Sequence, residues 1–241
     1  MTFVLVADPP HHGALPRLAD ATPLSDADAA DLSRAMLRDV ASAIADSNAP
    51  LLVNFPPAEE SHSDDPEADL REVLSDVAPD ARYEVQVGSS FAARAGNAIT
   101  HLLDDEDRGM AGVVRADAPL LTRSAVDEAM MRLRRDEVAL GPAREGRVYL
   151  AGFRAPVDFS DAFAPPSVRT LAERARDADR DVGFLPVGLR VTAPTDLRTL
   201  VAVVEAHRAG GRAVPDHTTA WIDDLGLDLV ADGDETRLVR A

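Results

Sequence analysis

The chain has 241 residues, 46% of them hydrophobic, no cysteine, and a formal net charge of −17. That is enough apolar material for one substantial core, while the missing cysteines exclude disulfides, thiolate catalysis and cysteine-based zinc sites. All 25 basic residues are arginine, so no lysine can act as nucleophile, base or phosphate clamp, and the acidic balance argues against nucleic-acid binding through a basic face.

The same balance fits a GC-rich genome together with a high-salt cytoplasm, where the Debye length falls to about 3 Å at 1 M salt. It points to a halophilic archaeon. The opening "MTFVLVADPPHHG" has no basic flank and is too short for a signal peptide or a membrane span, so a cytoplasmic protein without a membrane partner is expected.

Residues 2–8, "TFVLVAD", read as a strand buried on both faces. Ser25 is placed to cap a helix carrying Leu32, Met36, Val40 and Ile44, and 49–55 gives a second strand. Asp65-Pro66 reads as a cap followed by proline in the first turn of a helix with Leu70, Val73, Leu74 and Val77 on one face. Strand 83–87 precedes a helix with Phe91, Ala95, Ala98, Ile99 and Leu102. Strand 109–117 precedes one capped by Thr122. Residues 137–153 read as two strands around a turn, followed by a helix with Val168, Leu171, Ala172 and Ala175, then an extended run at 181–191. A last long helix over 194–208 stops at Gly210-Gly211. Trp221 is expected to anchor a C-terminal helix, and the tail, with its "DGDE" turn, reads as a hairpin.

Strands alternating with helices predict a three-layer α/β/α fold with a mostly parallel sheet, whose ligands bind beyond the carboxyl ends of the strands. Candidate site positions are therefore Ala7, Asp8, Gly88, Asp117 and the 141–147 turn. Dinucleotide, P-loop, serine-hydrolase and zinc-protease signatures do not occur. Two adjacent histidines, His11 and His12, stand in the first loop, where a metal or phosphate role competes with that of a solvated pair.

The segments "GALPRLAD", "QVGSSFAARAGNAI", "RADAPLLT", "LGPAREGRVYLAGF" and "LPVGLRVTAPTDL" stand in an order that resembles a glycosyltransferase-like family with the nucleotide-diphospho-sugar transferase (GT-A) fold, related to molybdenum-cofactor and phospholactate guanylyltransferases. The likeness covers about residues 1–210, leaving 211–241 as a C-terminal helix and hairpin packed on the same domain. It implies a metal-dependent glycosyl- or nucleotidyltransferase acting on a nucleotide sugar or nucleoside triphosphate, with Mg²⁺ or Mn²⁺, and allows a homodimer.

Carried over position by position, the resemblance sets Gly13 and Arg17 against the nucleotide phosphates, with Leu15 and Pro16 where lysine and threonine are usual. Gln86 and Arg94 match a second phosphate-side motif; an arginine near a helix N-terminus suits an anion, and equally suits a neighbouring acid. Asp117 falls on the strand-end aspartate that holds the cation. Chemically that suits Mg²⁺, which takes one or two carboxylates plus phosphate oxygens, although Asp-x-Pro also suits a turn that starts a helix. The acids that complete the metal site are replaced here, one by Arg190. Glu145 is the candidate general base, and Arg147 replaces a glycine. Arg147 and Arg190 could neutralise phosphate without metal. The alternative is a catalytically degenerate relative that binds a nucleotide or a protein partner.

Overall fold

The computed structural model describes residues 1–233 and 235–240. Asp234, in the expected "DGDE" turn, and Ala241 lie outside them.

Strand β1 (Thr2–Val6) has Phe3, Val4 and Leu5 fully buried, as a strand covered on both faces requires. The chain continues through α1 (Pro16–Ala19), α2 (Asp26–Asp46), β2 (Leu51–Phe55), α3 (Pro66–Leu74), β3 (Arg82–Val85), α4 (Phe91–Thr100) and β4 (Ala111–Arg115). Next come α5 (Arg123–Arg132), the β5 (Val138–Ala143) and β6 (Arg147–Phe153) hairpin, α6 (Ser167–Asp177), β7 (Val182–Phe184) and α7 (Pro194–Ala209). A final α8 (Asp216–Asp224) and the β8 (Leu227–Asp232) and β9 (Glu235–Arg240) hairpin complete the described residues.

The main sheet has the order β3-β2-β1-β4-β6-β5-β7. Only β6 runs against its neighbours, so the sheet is mostly parallel, with the expected helices on both faces. Side chains alternate across it. Phe3, Leu5, Val53 and Val114 pack beneath Val40 and Ile44 of α2, Leu70 of α3 and Val126 of α5, while Val4, Leu52, Val113 and Leu140 pack against Ile99 of α4 and Leu171 of α6. A third cluster joins Leu32 and Met36 of α2 to Leu200 and Val204 of α7, Trp221 and Ile222 of α8, Leu227 and Leu238.

The expected caps form. The side chains of Ser25, Asp65 and Thr122 accept from the amides of Asp28, Ala68 and Ala125. Two readings change. The short helix α1, carrying Leu18 into the core, was not expected. The extended run 181–191 yields a strand of only three residues, because Pro186 has no amide to donate, and beyond it pairing with β5 returns only as a bridge between Gly188 and Ala143. No helix among the described residues is long and apolar enough to cross a membrane.

Candidate functional site

Parallel strands β1, β2, β3 and β4 send their carboxyl ends to one edge of the sheet, and the turn after β4 carries Asp117. The segment leading into α7 is hooked onto that turn: the Val191 amide donates to the Asp117 carbonyl at 2.7 Å. The hook sets Arg190 against the Asp117 side chain. Its Nε and Nη2 donate to the two carboxylate oxygens at 2.7 and 2.6 Å, and the two side chains are only 11% and 16% exposed. A bidentate, charge-assisted pair of this kind uses the planar fork of arginine fully.

Two further arginines approach the same place. Arg115, the last residue of β4, lays its guanidinium 3.7 Å over the ring of Phe91. Burial pulls its pKa down to about 10; Asp117 opposes that shift, and Arg190 and Arg147 add to it. It remains charged at neutral pH. Asp117 is already taken by Arg190, so Arg115 has no ion-pair partner among the described residues. Arg147, at the start of β6, reaches Thr192 Oγ1 at 3.5 Å and Glu145 at 3.3 Å, while its buried Nε finds no acceptor among the described residues. Three guanidinium groups thus gather around two carboxylates, the mostly buried Asp117 and the exposed Glu145, in a chain of net charge −17.

The structure therefore brings together Asp117, Arg147 and Arg190 of the expected site, and adds Arg115. An arginine closing the otherwise apolar strand "AGVVR" was the available signal. Of the other expected residues, Glu145 meets the site through Arg147, and the rest lie elsewhere. Arg94 is held by Glu60 at 2.6 Å and by the Gly88 carbonyl at 2.9 Å, which is the neighbouring-acid arrangement. Gln86 ties strand ends, donating to the Asn54 carbonyl at 2.7 Å. Arg17 is exposed on α1, and Gly13 sits at φ 86°, a conformation that favours glycine, in the loop before it. The Glu145 side chain is 74% exposed on the β5–β6 turn. Asp196 is buried and spent on the entrance to α7, accepting from the amides of Thr192 and Ala193 at 3.1 and 3.0 Å.

This geometry bears directly on a cation at Asp117. Both oxygens already accept hydrogen bonds from Arg190, and the surrounding charge is positive. The donor set suits an anion. Beside the turn a largely apolar pocket of about 530 Å³ opens between Ala118, Leu121, Tyr149, Gly188 and Leu189, with Arg144 at its rim, a volume within the usual range for small-molecule sites.

A sheet of this order with its site at the carboxyl ends of the parallel strands is the nucleotide-diphospho-sugar transferase fold. Among solved structures, a "putative nucleotide-diphospho-sugar transferase" from Desulfovibrio desulfuricans G20 superposes with a TM-score of 0.74 at 23% identity, covering 92% of this chain and 94% of that one. The 4-diphosphocytidyl-2C-methyl-D-erythritol synthase of Anaerococcus prevotii DSM 20548 gives 0.53 at 11% identity, over 85% and 95%. A CMP:2-keto-3-deoxy-manno-octonic acid synthetase complexed with CTP gives 0.50 at 9%, over 86% and 98%. No curated protein matches the chain. Residues 40–165 match the model of the family described as "Uncharacterized protein conserved in bacteria (DUF2064)", and the chain belongs to that family.

Proposed function

We propose that the protein is a nucleotidyl- or glycosyltransferase whose nucleotide or nucleotide-sugar ligand places its phosphates among Arg115, Arg147 and Arg190, with no cation at Asp117. The observation that carries this reading is the surplus of guanidinium donors: Arg115, Arg147 and Arg190 gather where Asp117 is the mostly buried acid and Glu145 is exposed, Arg115 has no ion-pair partner and Arg147 Nε no acceptor among the described residues. Phosphoryl and glycosyl transfer ask the protein mainly for positioning and charge neutralisation. A half-buried arginine can neutralise the charge that builds up on a departing phosphate, because the low dielectric strengthens the contact and the groups are already in place. In this arrangement Asp117 holds Arg190 in register for the ligand. The apolar pocket beside it suits the uncharged part of the acceptor or the base. The kinship to guanylyltransferases in particular rests on the motif order alone.

Calorimetry with pyrophosphate, GTP, CTP and UDP-glucose, in molar KCl with a chelator present, tests the reading. Saturable binding that Arg190→Ala and Arg115→Met each weaken by at least about tenfold, the equivalent of losing one hydrogen bond to a charged group, is expected. Absence of binding by every one of these ligands overturns it. A second reading, binding without transfer, is favoured by the exposure of Glu145, which leaves no built general base at the turn. Release of pyrophosphate or nucleoside diphosphate over time separates the two.

A further inference from the structure

A second constellation lies one strand away. Val6 pairs with Arg115 across β1 and β4, so Asp8, two residues beyond the end of β1, stands at the same edge of the sheet as Asp117, two residues beyond β4. Asp8 Oδ1 accepts from Ser61 Oγ at 2.7 Å. That bond fixes the carboxylate and leaves Oδ2 beside two imidazoles: His11 Nδ1 at 3.8 Å from its own loop, and His62 Nδ1 at 3.6 Å from the loop after β2. The two rings stack with centroids 3.7 Å apart and planes 9° from parallel. One potential ligand atom from each of the three residues lies within 4.8 Å of the others.

These separations exceed a hydrogen bond. The 3.6 Å between His62 Nδ1 and Asp8 Oδ2 is close to the roughly 3.4 Å between two ligand atoms that each sit about 2.1 Å from a tetrahedral ion. The Nδ1–H of His11 donates to the Pro9 carbonyl at 2.9 Å, the kind of outer bond that fixes a tautomer and leaves the Nε2 lone pair for a metal. We propose that Asp8, His11 and His62 bind a divalent transition-metal ion of the zinc class, with a remaining position for water or a ligand oxygen. Two nitrogens and one carboxylate fit such an ion better than Mg²⁺ or Ca²⁺, which favour oxygen ligands throughout. Coordination turns the rings out of their parallel stack so that their lone pairs converge. His62, with its side chain 65% exposed, has room to make that turn. His12, the sequence neighbour of His11, is exposed and outside the group, so the pair that matters spans two loops rather than two consecutive residues.

The test is a titration of Co²⁺ alone into metal-free protein, followed by its visible ligand-field bands and by calorimetry, with Zn²⁺ as competitor. One saturable equivalent displaced by Zn²⁺ is expected. His62→Ala and His11→Ala should each weaken it more than about 100-fold, and Ser61→Ala about tenfold, as loss of outer-shell partners does. His12→Ala and Asp117→Asn should leave it unchanged. No saturable Co²⁺ band, or one that survives His62→Ala, overturns the site; His62→Ala changes an exposed side chain, so its result stands even if His11→Ala fails to fold. The titration contains no nucleotide and the anion experiment contains a chelator, so either reading can fail while the other holds.

Discussion

Asp117 and Arg190 are 73 residues apart in the chain, yet each takes its role from the other. Read alone, a strand-end aspartate followed by Ala118 and Pro119 is a cation ligand or a turn residue. Paired with Arg190 it becomes the inner partner of an ion pair. The sequence shows that an arginine has replaced an acid, but it cannot show that the arginine folds back onto the remaining acid, because that depends on the hook between Val191 and the Asp117 carbonyl. His62 was illegible for the same reason: its partner Asp8 stands on the preceding strand's loop. The pair makes a prediction that separates anion from cation binding. Asp117→Asn keeps the shape and removes the charge, so Arg190 is released toward the ligand. Pyrophosphate affinity measured with chelator present should hold or rise, whereas a cation bridge at Asp117 requires it to collapse. The same variant should cost about 3 kcal/mol of unfolding free energy, since it leaves a mostly buried guanidinium without its counter-charge. Urea titration reads that loss.

At the scale of elements, the helix starts were the most legible part of the chain, because a cap is a local chemical event: Ser25, Asp65 and Thr122 each satisfy an amide three residues on. One helix obeys the same physics with a distant residue. The N-cap position of α8 is Pro215, which offers no side-chain acceptor, and the amides of His217 and Thr218 are satisfied instead by the buried Asp39 of α2 at 2.9 and 2.8 Å. Asp39→Ala should therefore cost about 2 kcal/mol, the worth of charge-assisted bonds to a helix start. Asp39→Asn, which keeps an acceptor oxygen, should cost less. Comparison of the two urea midpoints decides it. Edge strand β3 is tied down differently. Arg82 donates to Glu106 at 2.8 and 2.7 Å, Arg108 adds a contact at 3.2 Å, and these bonds hold the Glu106 carboxyl near a pKa of about 2. A carboxylate whose pKa is lowered on folding stabilises the fold above its unfolded value near 4.5, and that contribution is lost as the pH falls toward 2. Glu106→Gln should accordingly flatten the acid limb of a stability-against-pH curve between about pH 4.5 and 2. An unaltered acid limb would show that the edge pair contributes nothing.

For the whole molecule, the acidic charge balance also sets how an anionic ligand must arrive. A net charge of −17 repels a nucleotide at long range, while the attraction of Arg115, Arg147 and Arg190 acts only at the sheet edge and inside partly buried surroundings. Salt treats the two fields unequally. Raising KCl from 0.1 to 1 M shortens the Debye length from about 10 to 3 Å, which removes the long-range repulsion first and leaves buried contacts less affected. The fold should be more stable in the same range as the surface acids stop repelling one another, and a rising melting temperature with KCl would show it. Association should follow the same direction. A site that attracts phosphate through an exposed basic face slows with added salt, but here the association rate of a fluorescent nucleotide in stopped flow should rise between 0.1 and 1 M KCl. A rate that falls with salt would mean that the arginine cluster dominates the field outside the cleft. The half-buried position of Arg115 over Phe91 and the burial of Arg190 against Asp117 argue against that outcome.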